Sequence, residues 1–162
     1  MAMKIAILED NLDRQRVMRD CLADRFAMYD AHFFHDASEI IDFLKDHLTD
    51  TLVIALDHDL DLKPGPNGRC IDPGTGRDVA DFLAANNPVC PIVIHTSNSD
   101  AAVAMQMLLK EARWKTFRVI PSDDTKWIVD EWFPAVRRAI VGPVRKAESA
   151  TNSSRRTKRK IT

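Results

Sequence analysis

Cysteine is scarce in this 162-residue chain: there are three, Cys21, Cys70 and Cys90, widely spaced and odd in number. That excludes a disulfide framework and the paired spacing of a zinc site. Long apolar runs are missing too, and none approaches the roughly 18 residues of a membrane span. The N-terminal run meets Glu9 and Asp10 too early for a signal-peptide core. The expected location is cytoplasmic, with no membrane partner. No glycine-rich loop follows the first apolar run, so the dinucleotide-binding fingerprint is absent.

An excess of one charge is also lacking, since the formal net charge is -1. The average hides an asymmetry. Seven Lys or Arg and one acid, Glu148, lie between Val141 and Thr162, leaving 16 basic and 23 acidic residues before them. An acidic body repels nucleic acid and anionic membrane. Only the basic tail offers a nucleic-acid contact, and it has no interleaved aromatic residue to stack on bases. Residues 1–142 read as one domain and 143–162 as a basic tail with almost nothing to bury, hence disordered.

What is present is a five-fold alternation of strand and helix. Lys4–Leu8, Asp30–Phe34, Thr51–Leu56, Pro91–Ile94 and Lys115–Ile120 read as strands, three of them short continuous apolar runs of the kind buried in parallel sheets. Between them, residues 12–28, 37–48, 78–85 and 101–113 have helical spacing or composition, and a last helix follows Pro121 to about Ile140. Asp36 with Glu39 is the better capping pair for the second helix. Pro134 predicts a kink or break in the last one. Trp127 and Trp132, five apart, should not share a face of that helix; packing of the tryptophans on the sheet is favoured over an exposed interface. Met105 and Met107 read as core fillers. The alternation calls for an α/β fold with a doubly wound parallel sheet.

Such sheets bind ligands outside the carboxyl ends of their strands. Here those ends carry Glu9-Asp10, Asp57-His58-Asp59 and His95-Thr96-Ser97. Three crowded carboxylates repel unless a cation offsets them, and an all-oxygen set selects a hard divalent ion. The plainer alternative is acids that simply face water or cap helices.

Leu8-Glu9-Asp10-Asn11, the buried strand ending at Asp57 and the Thr96-Ser97 step after Pro91-Ile92-Val93-Ile94 together resemble the receiver domain of two-component response regulators, over roughly residues 4–140. The resemblance implies a flavodoxin-like five-stranded parallel sheet in the order 2-1-3-4-5, with helices on both faces. It implies Mg²⁺, with Mn²⁺ as the alternative, held by Glu9, Asp10, Asp57 and the backbone carbonyl of Asp59. It makes Asp57 the phospho-acceptor, served by a histidine kinase or other phosphodonor, and Thr96 the hydroxyl that answers the phosphoryl group. It places a protein partner or a second copy on the face of helix 4, strand 5 and helix 5. The strings Leu56-Asp57-His58-Asp59-Leu60 and His95-Thr96-Ser97-Asn98, with Thr75-Gly76-Arg77-Asp78, are similar to a narrower receiver subfamily named for its association with cyclic-phosphate processing genes.

Three departures stand out. Receivers carry a Lys before the Pro that follows the fifth strand, where this chain has Ile120; Arg118, two residues earlier and on the same face, is the candidate replacement. The loop 61–76 is about ten residues too long, a length that marks either function or a surface insertion; Lys63 and Arg69 within it and Arg77 just after it are candidates to cover the acids. His58 and His95 are candidate additional metal ligands or general acid–base groups. Three functions follow: a stand-alone phospho-accepting receiver that signals by protein contact, a metal-dependent phosphoesterase or cyclic-phosphate processing enzyme, and a pseudo-receiver that only binds.

Overall fold

In the computed structural model, which describes residues 2–143, strand β1 (Lys4–Leu8) is apolar without interruption after Lys4 because both its faces are covered. Ala6 and Leu8 point to one layer with Ile54, Leu56, Ile92 and Ile94. Ile5 and Ile7 point to the other with Val53, Ala55, Val93 and Val119. The chain continues through α1 (Leu12–Phe26), β2 (Asp30–Phe34), α2 (Ala37–His47), β3 (Thr51–Leu56), a hairpin of β4 (Lys63–Pro64) and β5 (Cys70–Ile71), α3 (Gly76–Ala84), β6 (Ile92–His95), α4 (Ser99–Glu111), β7 (Thr116–Val119) and α5 (residues 126–143). Helices α2, α3 and α4 pack on the first layer, α1 and α5 on the second.

The main sheet is parallel and ordered β2-β1-β3-β6-β7. With the hairpin set aside, this is the expected 2-1-3-4-5 order. The order reverses between β1 and β3, which opens a crevice at their carboxyl ends. The ladder runs one residue past both strands: Glu9 N–H donates to Phe34 O at 3.1 Å and Asp57 N–H to Leu8 O at 3.0 Å. The acids are therefore fixed by sheet hydrogen bonds rather than carried on a loose loop. The basic tail from residue 144 onward lies outside the described residues. No helix among the described residues is long and apolar enough to cross a membrane.

Three expectations need correcting. Helix α5 is not broken at Pro134. Pro134 has no N–H for the Asp130 carbonyl, and its ring would press on it. The helix widens just upstream, through a π segment at Ile128–Trp132 closed by Phe133 N–H reaching back to Ile128 O. Residues five apart come nearly one above the other in such a segment, so Trp127 and Trp132 do share a face, 3% and 0% exposed in one cluster. Trp114 is buried in the opposite layer, its indole N–H donating to Leu83 O at 2.9 Å. Met105 fills the core, but Met107, two residues on, cannot face the same way and is exposed.

The long loop is ordered by the hairpin. Asn67 (φ 59°) and Gly68 (φ 70°) turn it in the left-handed region, the dipeptide that tight hairpins prefer. Lys63 does not cover the acidic ends of β1 and β3: it pairs with Asp36, the N-cap of α2, and with Glu39 at 3.1 Å. Arg77 pairs with Asp81 instead, and Arg69 is exposed. Lys63→Ala should cost about 0.5–1 kcal/mol, the scale of a partly exposed ion pair, and free the hairpin. Trypsin should then cut after Arg69 faster than in wild type; an unchanged cleavage rate would mean that the turn alone holds it.

Candidate functional site

Glu9 and Asp10 close β1, Asp57 closes β3, and Thr96 follows β6. Glu9, Asp57 and Thr96 are buried and Asp10 is half-buried. Glu9, Asp10 and Asp57 each offer one carboxylate oxygen, and these three atoms lie within 4.8 Å of one another. Asp10 also accepts the Asp61 backbone N–H, which ties the start of the long loop to the cluster.

The two oxygens of Asp57 are not equivalent. Oδ1 accepts the His58 backbone N–H at 2.7 Å, which orients the carboxylate. Oδ2 faces Arg14, whose guanidinium nitrogen is 3.6 Å away. Glu9 is divided in the same way. Its Oε1 accepts the Asn11 N–H at 2.9 Å. Its Oε2 has no hydrogen-bond partner among the described residues, with His95 Nε2 at 3.4 Å and Arg14 at 3.7 Å. A buried carboxylate oxygen without a hydrogen bond is costly unless a cation takes it up.

The titration behaviour follows from this arrangement. Burial pushes the Asp57 carboxyl up to about 6; Glu9 adds to the rise, while His95, the His58 N–H and Arg14 oppose it. Burial also raises Asp10, helped by the charges of Glu9 and Asp61 against the Asp61 N–H bond. Burial would raise Glu9 as well, but His95, the Asn11 N–H and Arg14 together outweigh it and hold that carboxyl below its usual value. One acid is thus firmly ionised beside two that resist ionising, the signature of a site waiting for positive charge.

His95 is the last residue of β6, not the first of the loop, and alternation turns it into the α1–α5 layer. It is fully buried between Glu9 and the rings of Trp127 and Trp132, at centroid distances of 6.1 and 6.2 Å. His58 turns away from the three-acid cluster, its Nδ1 2.8 Å from Asp59 Oδ1. Asp59 Oδ2 in turn accepts from the side chain of Asn98, the N-cap of α4, at 3.3 Å. Thr96 Oγ1 accepts the Asn98 N–H at 3.2 Å. Arg118 makes no ion pair with the three acids, and its buried Nε lacks a hydrogen-bond partner among the described residues.

Sequence reasoning missed Arg14, Gln15 and Gly76. Asn11 caps α1 by accepting the Arg14 N–H at 3.0 Å, which sets Arg14 in the first turn facing the acids. Gln15 donates to the Glu9 backbone carbonyl at 2.6 Å. Gly76 lets α3 start against β3: its N–H donates to His58 O at 3.1 Å. The available signals were an arginine one turn after an acidic pair and a glycine directly after a helix cap.

Several solved structures similar to this one are receivers. They include the phosphorylated cyanobacterial phytochrome response regulator RcpA (TM-score 0.65, 14% identity, covering 87% of this chain and 95% of that one). The response regulator domain of Thermotoga maritima CheB scores 0.60 at 14% identity, over 86% and 97% of the two chains. A response regulator receiver domain from Rhodospirillum rubrum scores 0.58 at 16% identity, over 88% and 94%. The fold is that of a response-regulator receiver. The model of the cyclic-phosphate processing receiver domain matches residues 5–111, and the chain belongs to that family. No curated protein matches it.

Proposed function

We propose that the chain is a Mg²⁺-dependent aspartyl phospho-acceptor that signals through protein contact, with Asp57 as acceptor. The observation that carries this is the free Asp57 Oδ2, held in a crevice with two further carboxylates and faced by a guanidinium. The donor set fits the ion. Three hard oxygens converge, and Glu9 Oε2 has no hydrogen bond to lose. Glu9, Asp10 and Asp57, with the backbone carbonyl of Asp59, would hold Mg²⁺; Mn²⁺ suits the same set. When bound, the ion offsets the charge of the carboxylates and of the incoming phosphoryl group.

The protein's own part is positioning. The His58 N–H fixes Asp57 so that Oδ2 presents its lone pair to phosphorus in line with the leaving group. With a phosphohistidine donor, the O–P bond forms as the P–N bond breaks. The imidazole nitrogen keeps the electron pair and, protonated on its other nitrogen, leaves neutral. Thr96 supplies a hydroxyl for the phosphoryl oxygens. A histidine kinase or a small phosphodonor fits this chemistry. Exposed Val103 and Met107 on α4 and Ile120 after β7 support a protein-binding face there. Phospho-acceptance is favoured over phosphoester hydrolysis because neither imidazole serves the crevice as an open acid or base: His95 is sealed in the core and His58 is paired with Asp59.

Incubation with Mg²⁺ and phosphoramidate should add one phosphoryl group, seen by intact mass and removed by hydroxylamine. Asp57→Asn, or EDTA, should abolish the adduct. A wild-type protein that gains none, or a variant that labels equally, would sink the reading.

A further inference from the structure

Among the described residues, Arg14 is the one Lys or Arg within ion-pair distance of Glu9, Asp10 or Asp57. The end of β7 supplies no such charge. Ile120 is apolar and exposed, and Arg118 pairs with none of the three acids. We infer that Arg14 binds the phosphoryl oxygens carried by Asp57 and that Trp127 of α5 reads where Arg14 lies; this rests on the phospho-acceptor reading above.

The geometry supports both halves. Arg14 approaches Asp57 through Oδ2, the oxygen free to form the acyl phosphate, because Oδ1 is taken by the His58 N–H. A phosphoryl group on Oδ2 therefore grows toward the guanidinium. At 3.6 and 3.7 Å, the contacts to Asp57 and Glu9 are longer than hydrogen bonds. They attract Arg14 to the crevice without committing its donors. Its planar fork matches two phosphoryl oxygens at once, which a single ammonium does not. The Asn11 cap fixes the start of α1, and the Arg14 side chain keeps 27% of its surface open, enough to turn toward a new anion.

The other side of Arg14 meets α5. Its guanidinium carbon lies 5.5 Å from the centre of the Trp127 ring, a cation–π distance. Trp127 is buried at the head of the π segment, and its indole nitrogen has no hydrogen-bond partner among the described residues. Among the described residues, packing, the His95 ring included, and this cation hold the ring. When Arg14 turns to phosphoryl oxygens it weakens that contact, and α5 receives the change directly at its widened turn.

The test uses the full chain, saturating Mg²⁺ and beryllofluoride as the phosphoryl stand-in. ¹⁹F NMR measures occupancy and tryptophan emission measures the response; Trp127→Phe assigns the signal. Arg14→Ala and Arg14→Gln should weaken beryllofluoride binding roughly tenfold to a hundredfold, the span of a lost charge-assisted contact. Arg14→Lys should lose less. At concentrations that restore occupancy, Arg14→Gln should show no Trp127 response. Folding is followed by the melting curve, and Arg14→Gln, neutral and shorter but still a hydrogen-bond donor, stands in if the alanine variant unfolds. Binding within twofold of wild type, or an intact Trp127 response in the glutamine variant, overturns the inference and leaves the phospho-acceptor intact. If the wild-type protein binds no beryllofluoride, the phospho-acceptor reading falls and this inference with it.

Discussion

Gly76→Ala is expected to cost more than 3 kcal/mol of stability, beyond the range of an ordinary overpacking substitution, and to abolish metal binding in whatever fraction still folds. A Cβ at this position would collide with the Asp57 backbone carbonyl oxygen, and would stand 3.0 Å from the Asp57 carbonyl carbon and the His58 Cα. All three are backbone atoms at the end of a central strand, so no rotamer change relieves the clash. The α3 N-terminus would have to lift, breaking the Gly76 N–H bond to His58 O and disturbing the segment that orients the Asp57 carboxylate. Urea unfolding and Mg²⁺ titration check this. A variant that unfolds within about 1 kcal/mol of wild type and binds Mg²⁺ normally would show that the strand end yields more easily than close packing permits.

Asp57→Asn is expected to make the metal-free protein more stable at neutral pH, by on the order of 1–3 kcal/mol, even though it should end phosphoryl uptake. Asp57 has its carboxyl raised to about 6 in the folded protein from 3.8. Below about pH 4, both folded and unfolded states hold the proton and the residue adds no penalty. Between about pH 4 and 6, the unfolded chain has released its proton while the folded one retains it, so stability falls as pH rises. Above 6 the full penalty persists, a buried anion beside Glu9 and Asp10. Asparagine keeps an oxygen for the His58 N–H and removes the charge. Glu9 works in the opposite sense: its lowered carboxyl adds stability above its ordinary value, lost as pH falls. The difference between variant and wild type isolates Asp57. In EDTA, the gap in urea midpoint should open from pH 4 to 6.5 and then level off, and Mg²⁺ should close it by favouring wild type. A gap independent of pH would mean that Asp57 is ionised at little cost.

These two residues show how unevenly the site could be read beforehand. Asp57 was legible because a β-branched run that stops at an acid is a local pattern, and parallel sheets put their ligands at that end. Gly76 is far less legible, because its neighbour across the crevice is nineteen positions back along the chain. The same holds for the counter-charge. Lys63 and Arg69 belong to the loop beside Asp57 and Arg77 to the first turn of α3, yet Lys63 and Arg77 answer acids at α2 and on α3, and Arg14 reaches the site from α1.

The sequence by itself determined the alternation of elements, the sheet with both faces buried, the acids at the ends of β1 and β3, and the Asp36 cap. Each depends on periodicity or on contacts within one turn, which short stretches carry in full. Only the tertiary structure decided which cation meets those acids, that His95 lies inside the core, and that Trp127 and Trp132 look the same way. Those outcomes depend on the helix register just before Pro134 and on side chains meeting from distant segments. The reason is physical: a long side chain commits its charge to whichever partner the packed elements bring within reach, and a strand or helix gains or loses a face with a shift of a single residue.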